Sequence, residues 1–320
     1  MKKTIGLLTS GGDAPGMNTA IRAVVRAAVY RNLRVTGFKR GYQGLINNEA
    51  LALTSRAVSG IVNQGGTILK TVRCEEMKTR NGLQKAAAVL HDNRLDGLIV
   101  IGGDGSLTGA DRLQRISGIP VIGIPSTIDN DVAGTDLTVG FDTAVNNALT
   151  EIDKIRDTAT SHERLFIVVV MGRTRGFIAL EVGLASGAEI ILVPEIKYNP
   201  SSVAEEMAEA RKSGKTSSII VMAEGAGDPS LLAQELAERA GYDVRMTVLG
   251  HIQRGGSPTA DDRVLASLYG VAAVGLFLKG AQRNFVGIKG GKHVYPRLTT
   301  ARRRKKLDTR LWRAAKILSR

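Results

Sequence analysis

The 320-residue chain is 43% apolar and holds 37 glycines, enough to bury cores for two domains of roughly 150 residues each. Its one cysteine, Cys74, excludes an internal disulfide and points to a reducing compartment. The net charge of +14 is uneven: residues 301–320 carry nine Lys/Arg and one Asp, and residues 281–300 carry four Lys/Arg and no acid, so +12 of it lies in the last 40 residues.

In chain order, TIGLLT (4–9) reads as a strand. The start MKKTIGLLTSGGD reaches glycine and aspartate too early for a secretory signal. The longest apolar run, LFIVVVM (165–171), is far short of the ~20 residues of a membrane helix, so a soluble, cytoplasmic protein is expected. SGGDAPGMN (10–18) follows the first strand, then a helix over about 17–31 with Ile21, Val24, Val25, Ala28 and Val29 on its apolar side. Gly11 and Gly16 have P-loop spacing, but Met17 and Asn18 stand where Lys and Ser/Thr belong, and GxGxxG is missing too. What remains is a loop whose backbone can approach a ligand, with Pro15 in the first turn of a phosphate-attracting helix. A tight turn needing glycine only for geometry fits as well.

LDGLIVIG (95–102) and PVIGI (120–124) read as strands around a helix at about 107–115. After the first comes GGDGS (102–106). An acid beside a phosphate is repulsive unless a cation intervenes, so Asp104 is a candidate to hold Mg2+; a plain helix N-cap is the alternative. After the second comes PSTIDND (125–131). In extended backbone, residues two apart face the same way. That would turn Asp129 and Asp131 to one crevice, one as general base, the other toward metal or as a charge neighbour. An Asx-rich turn is the plainer reading. Asp136, past the loop, reads as structural.

Residues 141–157 have a helical period in Phe141, Ala144, Val145, Ala148, Ile152 and Ile155. The runs 165–171, 190–194, 217–224 and 245–250 then read as strands between helical stretches. Such alternation predicts an α/β fold with parallel sheets and ligands beyond the strands' carboxyl ends. Anion binders collect there: Arg173 and Arg175 after 165–171, His251 and Arg254 after 245–250. His162 and Arg164 precede 165–171, and Arg245 begins 245–250. Arginine offers phosphate a bidentate fork, although any one of them also fits a surface ion pair. No His/Cys cluster suggests zinc, and no GxSxG suggests a hydrolase. Glycine loops, a divalent-ion acid, arginines and a candidate base together suit phosphoryl transfer. The basic end fits a solvated helix or a polyanion-binding tail.

The ordered motifs LTSGGDAPGMN, GGT (65–67), IGGDGS, TIDND, GFDTA, KIRDTATSHER, VMGR, VPE, AEG and VLGHIQRGGSPTADDRVLAS resemble the bacterial-type 6-phosphofructokinase family. The resemblance runs almost end to end and fades after about residue 290. It implies two Rossmann-like three-layer αβα domains with mostly parallel sheets and the active site in the cleft between them. An ATP/Mg-binding domain would take 1–138 plus about 252–303, and a fructose 6-phosphate domain 139–251 plus about 304–320. The implied reaction moves phosphate from ATP, with Mg2+, to the 1-hydroxyl of fructose 6-phosphate, giving fructose 1,6-bisphosphate and ADP.

By motif position, the resemblance makes Asp129 the base, puts Thr127 near the transferred group and gives Arg173 the transition-state charge. Asp104 would serve Mg2+. Gly11, Tyr42, Arg73, Cys74, Gly103, Asp104, Gly105, Ser106 and Gly109 would line the ATP site. Thr127, Asp129, Asp131, Met171, Gly172, Arg173, Glu224, His251 and Arg254 would meet the sugar phosphate. Arg164 and Arg245 would reach in from a neighbouring subunit of a homotetramer built as a dimer of dimers.

Pyrophosphate-dependent relatives carry Asp where Gly105 stands and Lys where Ser126 stands, so ATP is favoured; a pyrophosphate enzyme is the alternative, and a kinase whose basic tail also binds nucleic acid a lesser one. ATP users usually have Gly at 126. An effector site for ADP or phosphoenolpyruvate is matched by Arg22, Arg26, Arg156, Gly187, Glu189 and Lys215. Ser55, Gly60, Ser213 and Thr216 depart from it, and each lost charge-assisted contact would cost about 1.5–3 kcal/mol, so weak or altered effector control is expected. Phe177 stands where Asp is usual. A dinucleotide oxidoreductase is argued against by the missing GxGxxG.

Overall fold

β1 (Thr4–Ser10) is buried at every position after its first, as a strand covered on both faces must be. In the computed structural model, which describes residues 2–318, it is followed by α1 (Met17–Tyr30), β2 (Arg34–Phe38), α2 (Gly41–Ile46), β3 (Ala50–Ala52) and α3 (Arg80–Asp92). Next come β4 (Gly97–Gly102), α4 (Asp104–Ser117), β5 (Val121–Pro125), α5 (Phe141–Ser161), β6 (Leu165–Val170), α6 (Phe177–Ala185) and β7 (Ile190–Leu192). The rest are α7 (Pro200–Lys212), β8 (Ser218–Ala223), α8 (Pro229–Glu235), β9 (Val244–Val248), α9 (Ala260–Leu278), β10 (Arg283–Phe285), β11 (Gly287–Lys289), β12 (Lys292–Val294) and α10 (Thr309–Leu318).

The chain divides into two compact units. One takes the residues up to Thr143 with Arg254–Lys305; the other takes Ala144–Gln253 with the chain from Lys306 on. The first holds a six-stranded sheet, β10-β5-β4-β1-β2-β3, parallel except for β3. Strand order reverses at β1 and β4, which places the loops after them at a topological switch point. Leu8, Phe38, Leu90, Leu98 and Leu107 form part of the core on one face. On the other, α1 packs on α9 so closely that a Cβ on Gly270 would lie 2.5 Å from that of Ala23.

The second unit holds a parallel sheet, β7-β8-β6-β9, covered by a core that includes Ile167, Ile220, Met207 and Leu236. Asn199 and Asp228 cap α7 and α8, each followed by proline at the first helical position, a residue suited to that place. Among the described residues no helix is long and apolar enough to cross a membrane.

One element starts earlier than its pattern suggests. α4 begins at Asp104, because Gly103 takes the extended cap conformation directly after β4. Asp104 is therefore the first helical residue and not the N-cap.

Candidate active site

In the first unit, the loop after β1 is shaped by residues far away in sequence. Gly11 (φ 91°) and Gly16 (φ 94°) are left-handed, a backbone that glycine adopts without strain. Arg254 Nη1 donates to Asp13 O at 2.9 Å, and a Cβ on Gly12 would lie 2.6 Å from that nitrogen. Gly12 is bare because Arg254 lies across it. Asn18 Nδ2 donates to the carbonyls of Gln64 and Gly65, both at 3.1 Å, and its Oδ1 accepts the Ile68 N–H at 2.7 Å, tying the GGT segment to this loop.

At the mouth of β4, Asp104 Oδ1 accepts the Gly105 N–H at 2.6 Å, an acid at a helix N-terminus where the dipole favours it. Gly105 is exposed, and a Cβ there would meet nothing within 4 Å. The loops converge: a Cβ on Gly11 would lie 3.1 Å from Ser106 Oγ, and one on Gly103 would lie 3.5 Å from Thr127 Cβ. Tyr42 is buried and its hydroxyl donates to Ser106 O at 2.7 Å. Burial pushes that hydroxyl above its ordinary pKa, with Cys74 adding to the rise, so it remains a donor. Gly109 leaves room for its ring, 3.3 Å from where a Cβ would be. Cys74 packs half-buried against the same core, and Arg73 beside it is exposed.

After β5 the chain turns at Ile128 and Asp129, and Asn130 is left-handed at φ 48°. The extended reading of this stretch is therefore corrected. Asp129 and Asp131 do not alternate as on a strand: Asp129 is 1% exposed, Asp131 only half-buried. Thr127 Oγ1 accepts the Asp129 N–H at 3.2 Å. Val139 O receives the Thr127 N–H at 3.0 Å and the Ser126 hydroxyl at 3.3 Å; Thr138 Oγ1 donates to Thr127 O at 2.7 Å. Asp136 is structural: its Oδ2 accepts the Gly290 N–H at 2.7 Å, and its N–H donates to Ile288 O at 2.7 Å.

Residues 138–143 are fixed in turn by Asp262, 1% exposed. Its carboxylate accepts from Gly140 N at 2.7 Å, Thr143 N at 2.8 Å and Thr143 Oγ1 at 2.5 Å. Sequence reasoning passed over Asp262 and Asn18, although both stand inside the motifs DDRVLAS and GMN. Asp262 stands between Asp261 and Arg263, and Asn18 beside Thr19, so neighbouring residue types alone mark neither.

In the second unit, the carboxyl ends of β6 and β8 meet. Glu224 Oε1 accepts from Gly172 N at 3.2 Å and Arg173 N at 2.6 Å. Arg173 is left-handed (φ 54°), a strained backbone for a non-glycine residue. Gly225 is bare because a Cβ would lie 2.1 Å from Arg173 O. Buried Gln253 Oε1 accepts the Met171 N–H at 3.3 Å, and exposed His251 shares the short helical turn Gly250–Arg254 with it.

Arg164 and Arg245 do not join this group. Both bond Asp243 Oδ2, at 2.7 Å and 3.1 Å, and Arg164 chiefly holds the Asp243 carboxyl below its usual range. They sit at the amino ends of β6 and β9, so the six residues of β6 separate them from Arg173 by about 20 Å.

Of the expected effector residues, four gather in this unit. Arg156 donates to Ser186 O at 2.7 Å and to Gly187 O at 3.2 Å, and lies 3.9 Å from Glu189, which Lys215 meets at 3.0 Å. Arg22 and Arg26 are on α1 of the first unit. Ser213 is spent on the Glu209 carbonyl at 3.0 Å, Thr216 and left-handed Gly60 are exposed, and Ser55 is half-buried. Phe177, 8% exposed, is an apolar first residue of α6.

Residues 4–277 match the family model described as phosphofructokinase. The ATP-dependent 6-phosphofructokinase of Clostridioides difficile is 54% identical over 318 residues, 99% of each chain. ATP-dependent 6-phosphofructokinase 1 of Thermus thermophilus is 52% identical over 320 residues, again 99% of each. So the similarity extends past residue 290, where the motifs fade. The crystal structure of Pichia pastoris phosphofructokinase in the T-state superposes with a TM-score of 0.89 at 36% identity, over 94% of this chain and 35% of that longer one. A pyrophosphate-dependent phosphofructokinase structure from Marinobacter aquaeolei, at 24% identity and TM-score 0.85 over 96% and 86% of the two chains, shares the fold. With glycine loops at the switch point and the family model spanning both units, the chain belongs to the phosphofructokinase family.

Proposed function

We propose that the chain is a cytoplasmic ATP-dependent 6-phosphofructokinase, moving the γ-phosphoryl of ATP to the 1-hydroxyl of fructose 6-phosphate. The carrying observation is the convergence of the Gly11, Gly103–Gly105 and Thr127 loops beside buried Asp129. Bare backbone at a helix N-terminus suits the phosphates, and a carboxylate in the next turn suits proton abstraction from the acceptor hydroxyl. The open space at Gly105 favours a nucleotide over pyrophosphate, since the Asp of pyrophosphate users would fill it. Ser126 is small and turned onto Val139 O.

In this reading Asp129 takes the proton and Thr127 orients the transferred group. Arg173, its backbone held by Glu224, meets the charge that develops. The donor chemistry suits Mg2+: Asp104 offers a carboxylate at the start of α4, and Mg2+ commonly takes one or two carboxylates and completes its shell with substrate phosphates and water. Asp104 would hold it, and the bound ion would neutralise phosphate charge. Gly11, Tyr42, Arg73, Cys74, Ser106 and Gly109 flank ATP; Asp131, Met171, Gly172, Glu224, His251 and Arg254 serve the sugar phosphate.

Arg164 and Arg245 serve the site of a neighbouring copy in a homotetramer. Supporting this are their distance from Arg173 and the edge strand β9, whose Met246 and Val248 are 46% and 62% exposed, a liability that a partner would cover. Arg156, Gly187, Glu189 and Lys215, with Arg22 and Arg26, would take ADP or phosphoenolpyruvate.

A coupled assay with fructose 6-phosphate, run with ATP and with pyrophosphate, tests the reading. Turnover with ATP is expected, and Asp129→Ser should lower kcat by several orders of magnitude at near-normal KM. Turnover with pyrophosphate alone, or an unaffected kcat, rejects it.

A further inference from the structure

Residues 281–305 hold eight Lys/Arg and no acid. A solvated face ordinarily mixes both signs, because like charges side by side repel. Two cations are engaged elsewhere: Arg283 binds buried Asp111 at 2.5 Å, and Lys305 donates to Asp136 O at 2.8 Å and Asn130 Oδ1 at 2.9 Å. Arg302 reaches Asp111 only at 3.8 Å.

That leaves Lys289, Lys292, Arg297, Arg303 and Arg304, all exposed. The fold gathers them. The β11–β12 turn is anchored on Asp136 through the Gly290 N–H, and Lys305 docks on the same residue, so the hairpin and the 302–305 run meet at one loop. On β12 and just past it, His293 and Tyr295 are both exposed, with near-parallel rings (6° apart) and centroids 6.5 Å apart.

We infer that this surface binds single-stranded nucleic acid. Spaced cations that follow a phosphate backbone, with exposed aromatic faces among them for bases to stack on, are the two requirements of such binding. Duplex DNA or an anionic membrane would use the charge but has no need of the aromatic pair.

The test measures fluorescence anisotropy of a labelled 20-nucleotide single-stranded RNA with the full chain across a salt series. About five phosphate contacts predict roughly a hundred-fold loss of affinity from 50 to 200 mM salt. The triple variant Lys292→Gln/Arg303→Gln/Arg304→Gln should cut that loss to under about ten-fold. Tyr295→Ala should weaken single-strand binding about ten-fold at an unchanged salt slope. All variants should keep the wild-type thermal midpoint and phosphofructokinase activity, so the result is independent of the kinase reading. No binding at 50 mM salt overturns the inference, as does binding that the triple variant leaves untouched. Equal affinity for a 20-base-pair duplex with no effect of Tyr295→Ala, or capture by phosphatidylserine vesicles without RNA binding, also overturns it.

Discussion

Asp262→Ala tests whether a residue outside the substrate site governs the catalytic loop. The substitution orphans the Gly140 and Thr143 N–H groups, while the Thr143 hydroxyl can turn to Thr259 Oγ1, now 3.3 Å away. Two buried unsatisfied donors cost about 1–3 kcal/mol each. Part of this is offset, because burial of the Asp262 carboxyl is itself unfavourable and raises its pKa. The net loss should be about 3 kcal/mol, or a melting midpoint lower by roughly 5 °C. Released, residues 138–143 no longer fix Val139 O, which holds Thr127 and Ser126. A displacement near 1 Å at the loop can cost about a hundred-fold in rate. Differential scanning fluorimetry and the coupled assay measure both. Asp262→Asn separates charge from geometry. The folded carboxyl binds its proton more tightly than the unfolded one, so wild-type stability falls as pH rises from the unfolded value near 3.9 through the raised folded value; the Asn variant should lose that slope. A midpoint within 1 °C of wild type with unchanged kcat in Asp262→Ala would refute the reasoning.

Gly105→Asp should fold with an unchanged midpoint, since a Cβ there meets nothing within 4 Å, yet lose at least about a hundred-fold in kcat/KM for ATP by like-charge repulsion; normal ATP kinetics would contradict the assignment. Arg245→Ala should raise KM for fructose 6-phosphate about ten- to hundred-fold. Mixed with Asp129→Ser after dissociation and reassembly, it should recover activity well above either variant alone, and no recovery would argue that each site is built from one chain. Fructose 6-phosphate saturation should be near-hyperbolic and little changed by phosphoenolpyruvate, because Ser55, Ser213 and Thr216 stand where basic residues are usual and Gly60 where an aspartate is; strong sigmoidal inhibition would show an intact effector site.

Much of the fold was legible because its signals are local. Short apolar runs, TIGLLT, LIVI, VIGI and LFIVVVM, marked β1, β4, β5 and β6, and helical periodicity marked α1 and α5. The glycines also marked the ligand loops. What periodicity cannot carry is a contact across the chain. Arg254 lies over Gly12 because a helical turn 241 residues after Asp13 delivers it there. Asp262 holds Gly140 across 122 residues, and neither pairing leaves a mark in the stretches themselves.

The aspartates of PSTIDND show the same limit at shorter range. Alternation of side chains presumes extended backbone, and one left-handed residue, Asn130, breaks it. Asn tolerates that conformation through its short polar side chain, here tied to Asp136 O at 3.1 Å. The turn buries Asp129 and leaves Asp131 half-buried, so two acids two residues apart enter different environments. The residue types were visible in the sequence, and their different burial follows from a turn that the residue types alone do not announce. Ser126 follows the same logic. Its small size was legible, but whether its hydroxyl faced substrate or backbone depended on Val139, thirteen residues on, which takes it. The departure from glycine at that position thus adds a fastening to this loop.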